Sequence, residues 1–123
     1  MSLERRVLLV VEDDGLIRMD LVDCLADMGF EVLEAANADV AIGILAARPD
    51  IVALLTDIDM PGSMNGIALA HLTVERHAGC QIVIISGRYS PEQGSIPPHA
   101  RFLSKPISER MLAKTLSEIG LAS

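Results

Sequence analysis

The chain has 123 residues, 50% hydrophobic and 22% charged, which is enough for one buried core and reads as a single domain over 1–123. A net charge of −7 with only 2% aromatic residues excludes the basic, ring-rich footprint of a nucleic-acid binder. The longest apolar runs are strand-sized, so no membrane span is expected, and Arg5-Arg6 followed only by Val7 to Val11 does not read as a secretory leader.

Met1-Ser2-Leu3 is set aside from the fold reading. Val7 to Val11 is an unbroken apolar run, the signature of a strand buried on both faces, and it runs straight into Glu12-Asp13-Asp14. Helical spacing follows, with Ile17, Leu21, Cys24, Leu25 and Met28 on one stripe and Gly29 as a left-handed stop. Phe30 to Ala35 is a second strand. Asn37 is placed to cap a helix with Val40, Ala41, Ile44 and Leu45 inward, ended by Arg48-Pro49. Ile51 to Leu55 is a third strand that ends in Thr56-Asp57-Ile58-Asp59-Met60-Pro61. After a loop from Pro61 to Gly66, a third helix should carry Ile67, Ala70 and Val74 inward.

Gln81 to Ile85 is a fourth strand ending in Ser86-Gly87. Tyr89 to His99 holds Pro91, Gly94, Pro97 and Pro98, so one or two helical turns at most are expected, in the most mobile part of the fold. Arg101 to Ser104 is a fifth strand ending in Lys105-Pro106, and Ser108 caps a last helix with Met111, Leu112, Leu116 and Ile119 inward before Gly120. Strand and helix alternate throughout, which predicts an α/β doubly wound parallel sheet, flavodoxin-like, of order 2-1-3-4-5 with an irregular or short fourth helix. The closing Gly120-Leu121-Ala122-Ser123 carries no sign of a linker. Cys24 and Cys80 have no metal or redox spacing and read as reduced core thiols; His71, His77 and His99 read as surface or loop residues.

Polar groups thus stand at the carboxyl ends of four strands: Glu12 and Asp13, Asp57, Ser86, and Lys105. In the 2-1-3-4-5 order the first and third strands are neighbours, so their acids meet in one crevice. Two carboxylates 4 Å apart repel by roughly 4 kcal/mol at an effective dielectric of ~20, and three by on the order of 10 kcal/mol. Lys105 offsets one charge, and a hard divalent cation offsets the rest. Carboxylate, cation, ammonium and hydroxyl together suit phosphoryl transfer onto a carboxylate.

Val10-Val11-Glu12-Asp13-Asp14, Asp57-x-x-Met60-Pro61, Ile85-Ser86-Gly87 and Lys105-Pro106 together resemble the receiver domain of two-component response regulators. The resemblance spans roughly Arg6 to Leu121. It implies that Asp57 is the phosphoacceptor, Asp13 a direct ligand of Mg²⁺ or Mn²⁺, Glu12 a ligand through water, and Asp59 a backbone-carbonyl ligand. It implies that Ser86 is the switch hydroxyl, Lys105 the phosphate-pairing lysine, Phe102 the switch aromatic, and Lys105–Pro106 a cis bond. Asp14 is expected to cap the helix. Asp59 and Arg88 stand where the family tunes the lifetime of the phosphoryl group. By the same resemblance the chain is a stand-alone cytoplasmic receiver, a monomer or weak dimer, and not an enzyme beyond self-catalysed phosphoryl transfer and autodephosphorylation. Its phosphodonor would be a histidine kinase or histidine phosphotransfer protein and its target another protein.

The loop after Met60-Pro61 is longer than usual for the family, and the span from Ser86 to Lys105 is shorter and proline-rich. Asp57-x-Asp59 after an apolar strand also fits a haloacid-dehalogenase-like phosphatase, with the two acids as nucleophile and general acid. Met60-Pro61 and the lack of room for a capping domain speak against that alternative. Flavin binding lacks a phosphate loop and stacking aromatics.

Overall fold

The computed structural model describes residues 5–121. Met1-Ser2-Leu3 and Ala122-Ser123 lie outside them. The strands are β1 (Val7–Val11), β2 (Glu31–Ala35), β3 (Ile51–Asp57), β4 (Gln81–Ser86) and β5 (Arg101–Ser104). The helices are α1 (Gly15–Asp27), α2 (Ala38–Ala47), α3 (Gly66–Arg76) and α4 (Glu109–Glu118). All strand pairs are parallel, in the order β2-β1-β3-β4-β5. The switch point therefore falls between β1 and β3, as the alternating pattern predicts.

Successive side chains of a strand point to opposite faces, and the apolar runs of β1, β3 and β4 supply both. Leu9, Val11, Leu54, Ile82 and Ile84 face one core with Ala41 and Leu45 of α2 and Ile67 and Ala70 of α3. Leu8, Val10, Leu55, Val83 and Ile85 face the other, with Leu21 and Leu25 of α1 and Leu112 and Leu116 of α4. Each helix starts on a side-chain acceptor: Asp14, Asn37, Asn65 and Ser108 take up first-turn N–H groups. Gly29 ends α1 at φ 100°, a left-handed conformation open to a residue without a Cβ. Cys80 is buried, its thiol pushed up to about 11 by desolvation, and Cys24 is half-buried; both are free.

Three residues expected inward point outward. Val40 is 48% exposed, Val74 42% and Met111 37%. In α3 the inward position is taken by Thr73, whose hydroxyl donates to Leu69 O at 2.8 Å, so its polarity is satisfied within the helix. In α4, Thr115 shares the buried stripe with Leu112 and Leu116. A buried threonine is invisible to a pattern that counts only apolar residues.

Between β4 and β5 the only helical element is a 3-10 turn, Pro91–Gln93. The segment is tied to its surroundings: Tyr89 Oη donates to Gly94 O at 2.8 Å, and Asn65 Nδ2 to Gln93 O at 3.3 Å. His71 is an exposed residue, as expected, yet its Nε2 donates to Ser95 O at 2.6 Å. Tyr89, Ile96 and Ala100 pack against the core that α2 and α3 share. The proline-rich span is a strap laid across that face rather than a helix.

The outward turn of Met111 has a direct check. Leu112→Ala should destabilise the fold by about 2–5 kcal/mol, and Met111→Ala by no more than ~0.5 kcal/mol. Denaturant unfolding of both variants reads the difference.

Candidate functional site

Glu12 follows β1 and Asp57 closes β3, so the β1–β3 pairing brings both into one crevice. Both are buried, at 1% and 6% exposure. Lys105, immediately after β5, reaches the same crevice. Its Nζ donates to Glu12 Oε1 at 2.6 Å and lies 3.3 Å from Asp57 Oδ2. The other oxygens are also held: Glu12 Oε2 accepts from Asp14 N at 3.2 Å, and Asp57 Oδ1 from Ile58 N at 2.8 Å. The Lys105–Pro106 bond is cis. Arg18 fixes the acid loop from outside, donating through Nη1 to Glu12 O at 2.7 Å and through Nε to Glu34 at 2.9 Å.

Ligand atoms of Glu12, Asp13 and Asp57 all lie within 4.8 Å of one another. Octahedral Mg²⁺ with bonds of about 2.1 Å sets adjacent ligands about 3.0 Å apart and opposite ones about 4.2 Å apart, so the carboxylates are near enough to gather round one ion if their side chains draw inward. The donor set is all oxygen, as a hard cation requires. Three carboxylates face one ammonium, and the imbalance shows in the titration of two groups. Burial, then the adjoining Glu12 carboxylate, pushes the Asp13 carboxyl above its ordinary 3.8, more than Lys105 pulls it back. For Lys105, burial acts downward but is outweighed by Glu12 and Asp57, and the ammonium is held above its ordinary 10.5.

The remaining expected residues are distributed around this centre. Ser86 closes β4 and is buried, but its hydroxyl is engaged: Oγ donates to Arg88 O at 2.6 Å and accepts from Arg88 N at 3.1 Å. Phe102 on β5 is 38% exposed and stacks obliquely on Tyr89, centroids 5.7 Å apart. The Asp59 carboxylate turns to the strap, where its Oδ1 accepts from Gln93 Nε2 at 2.8 Å. Arg88 forms no ion pair with Asp59 among the described residues.

Two contributors carry no recognisable sequence signal. Gly66 lies so close to the phosphoacceptor candidate that a Cβ there would come 1.7 Å from Asp57 O, while its N–H donates to Ile58 O at 2.9 Å. Gln93 meets Asp59 only because the strap crosses the loop after β3. A glycine at the end of a loop and a glutamine in a proline-rich span look ordinary in the primary structure.

A family model described as the response regulator receiver domain matches residues 8–117. The chain belongs to this family. It is 34% identical over 118 residues to the sensor kinase CckA of Brucella abortus, covering 90% of this chain and 12% of that protein. It is 35% identical over 85 residues to the DNA-binding transcriptional regulator NtrC of Salmonella typhimurium, covering 68% of this chain and 18% of that one. The chain thus spans less than a fifth of these curated relatives. Among solved structures, a response regulator receiver protein from Sinorhizobium medicae superposes with a TM-score of 0.85 at 28% identity, covering 96% of each chain. A receiver domain is a signalling module and not a conventional enzyme, and the family match runs against the hydrolase alternative. Among the described residues, no helix is long and apolar enough to cross a membrane.

The crowding in this receiver has two measurable consequences. Gly66→Ala forces a side chain onto the Asp57 peptide and should cost about 1–3 kcal/mol or more, read by denaturant unfolding. For Asp13, the native carboxyl binds its proton to higher pH than the unfolded one, so stability is lost as pH rises from 3.8 through the raised native value. Asp13→Asn should therefore raise the melting temperature in chelator at pH 7, and the gain should vanish below about pH 3.8 as both states become protonated. Equal melting temperatures at pH 7 would contradict that charge penalty.

Proposed function

We propose that this receiver accepts a phosphoryl group on Asp57 from the phosphohistidine of a histidine kinase or histidine phosphotransfer protein, and that acceptance changes a protein-binding surface. One observation carries the reading. A lysine ammonium is inserted between two buried carboxylates at the mouth of the sheet, where solubility alone gives no reason to place it. Buried charges persist when they are paired, and an unbalanced acid cluster calls for a cation.

The reaction follows from what each side chain can do. An Asp57 carboxylate oxygen forms a bond to phosphorus as the P–N bond to the donor imidazole breaks, and the departing ring nitrogen is protonated from solvent. Ile58 N–H holds the carboxylate in place throughout. Asp13, Asp57 and the Asp59 backbone carbonyl would hold Mg²⁺ or Mn²⁺, with Glu12 contributing through water. When bound, the cation supplies positive charge against the phosphoryl oxygens. Lys105 moves from carboxylate partner to phosphoryl partner, a small displacement for a flexible ammonium. Ser86 Oγ–H turns from Arg88 O toward a phosphoryl oxygen, and Phe102, beside Tyr89, responds to the space this leaves.

The output is read as a protein partner rather than nucleic acid, in keeping with a net charge of −7. A cytoplasmic monomer or weak dimer suits that role.

Incubation with acetyl phosphate and Mg²⁺, followed by intact mass, tests the reading. The wild type should gain one phosphoryl group, with none in Asp57→Asn or in excess chelator. Lys105→Ala should label at least about tenfold more slowly, the loss of one charge-assisted contact worth ~1.5–3 kcal/mol. Equal labelling of Asp57→Asn would remove the proposal.

A further inference from the structure

All four polar groups of Gln93 are in use, and they join three parts of the molecule. Its Nε2 donates to Asp59 Oδ1 at 2.8 Å, its Oε1 accepts from Ser90 N at 2.9 Å, its N–H donates to Ser90 O at 3.0 Å, and its carbonyl accepts from Asn65 Nδ2 at 3.3 Å. Asn65 is at the same time the cap of α3, accepting from Ala68 N at 2.9 Å. At the other end of the same short segment, Ser86 Oγ holds the Arg88 peptide through both its carbonyl and its N–H. The strap from Gly87 to Gln93 is thus pinned at both ends to crevice residues: Ser86 at the end of β4, and Asp59 two positions beyond Asp57.

A hydroxyl has one proton to donate. If Ser86 gives it to a phosphoryl oxygen on Asp57, the bond to Arg88 O is lost and the near end of the strap is released. The 3-10 turn is closed on itself by the paired Ser90–Gln93 bonds, a closure that starts two residues beyond Arg88, so the end held by Ser86 and the bond to Asp59 belong to one short segment.

From this geometry we infer that Gln93 is a positioning residue of the receiver site: its side-chain amide latches the strap to Asp59 in the unphosphorylated state and opposes phosphoryl occupancy. The inference deepens the phosphoacceptor reading and rests on it. Two states are defined, latched and released, and a ligand that needs the released state pays for breaking the latch. Removal of the amide lowers that cost and tightens the ligand. A side chain that merely supports the loop has no such effect; its loss lowers stability and leaves affinity for an Asp57 ligand unchanged or weakened.

The test titrates beryllium fluoride with saturating Mg²⁺ into wild type, Gln93→Ala and the near-isosteric Gln93→Met, read by calorimetry, with thermal unfolding confirming that each is folded. Gln93→Met keeps the stem and guards against collapse of the turn. Both variants should bind the phosphoryl mimic about fivefold more tightly than wild type, the scale of one intramolecular hydrogen bond. Unchanged or weaker binding by folded variants, alongside normal binding by wild type, overturns the latch and leaves the phosphoacceptor reading intact. Wild type that fails to bind the mimic overturns both.

Discussion

The site depends on one long side chain crossing the sheet. Lys105 follows β5 and Asp57 ends β3, with β4 between them, so two strand spacings of about 4.8 Å separate their backbones. Only a stem as long as lysine's carries a charge that far, and its ammonium ends between Glu12 and Asp57. Without it, two carboxylates at 1% and 6% exposure would lie side by side in a poorly solvated crevice. Removing one member of such a buried arrangement is far costlier than the net worth of the pair, because the charges left behind have no solvent to turn to.

Lys105 does not balance the crevice. Asp13 remains, its carboxyl held above the ordinary range, and the excess negative charge is a cost the apolar cores must carry. Those cores are well suited to it: β1, β3 and β4 are buried along nearly their whole length on both faces. The crowding extends to the backbone, where Gly66 brings the start of α3 onto the Asp57 carbonyl at a distance no Cβ permits. Rigid strands thus end in a tight, electrostatically loaded rim, a local conflict of the sort that marks functional sites.

The polar contacts around the rim lead outward along one path. Ser86 is hydrogen-bonded to Arg88, Ser90 to Gln93 and Gln93 to Asp59, and the two groups are joined through the backbone at Tyr89, whose ring stacks on Phe102. Where a doubly wound fold ordinarily lays a helix between β4 and β5, this chain lays a strap with a single 3-10 turn. A helix responds to a pull as a rigid rod. A strap held by a few side-chain bonds can be released at particular points, which places its control in residues such as Gln93.

The strands, the doubly wound order and the acids and lysine at the strand ends were legible in the sequence. Buried parallel strands are continuous apolar runs, and whatever polar residue ends a run marks the rim. Caps were legible at Asp14, Asn37 and Ser108 because short side-chain acceptors act on their own next turn. The inward faces of the helices were only partly legible: Val40, Val74 and Met111 point outward because Thr73 and Thr115 share the buried stripes and because α2 is apolar around most of its circumference. Tertiary structure alone decided the contact of Gly66 with Asp57 and the bond of Asp59 to Gln93, 34 positions away. Periodicity and capping are local and repeat within a few residues. A contact between two loops depends on where separate strands deliver them, and that is set by the packing of the whole sheet.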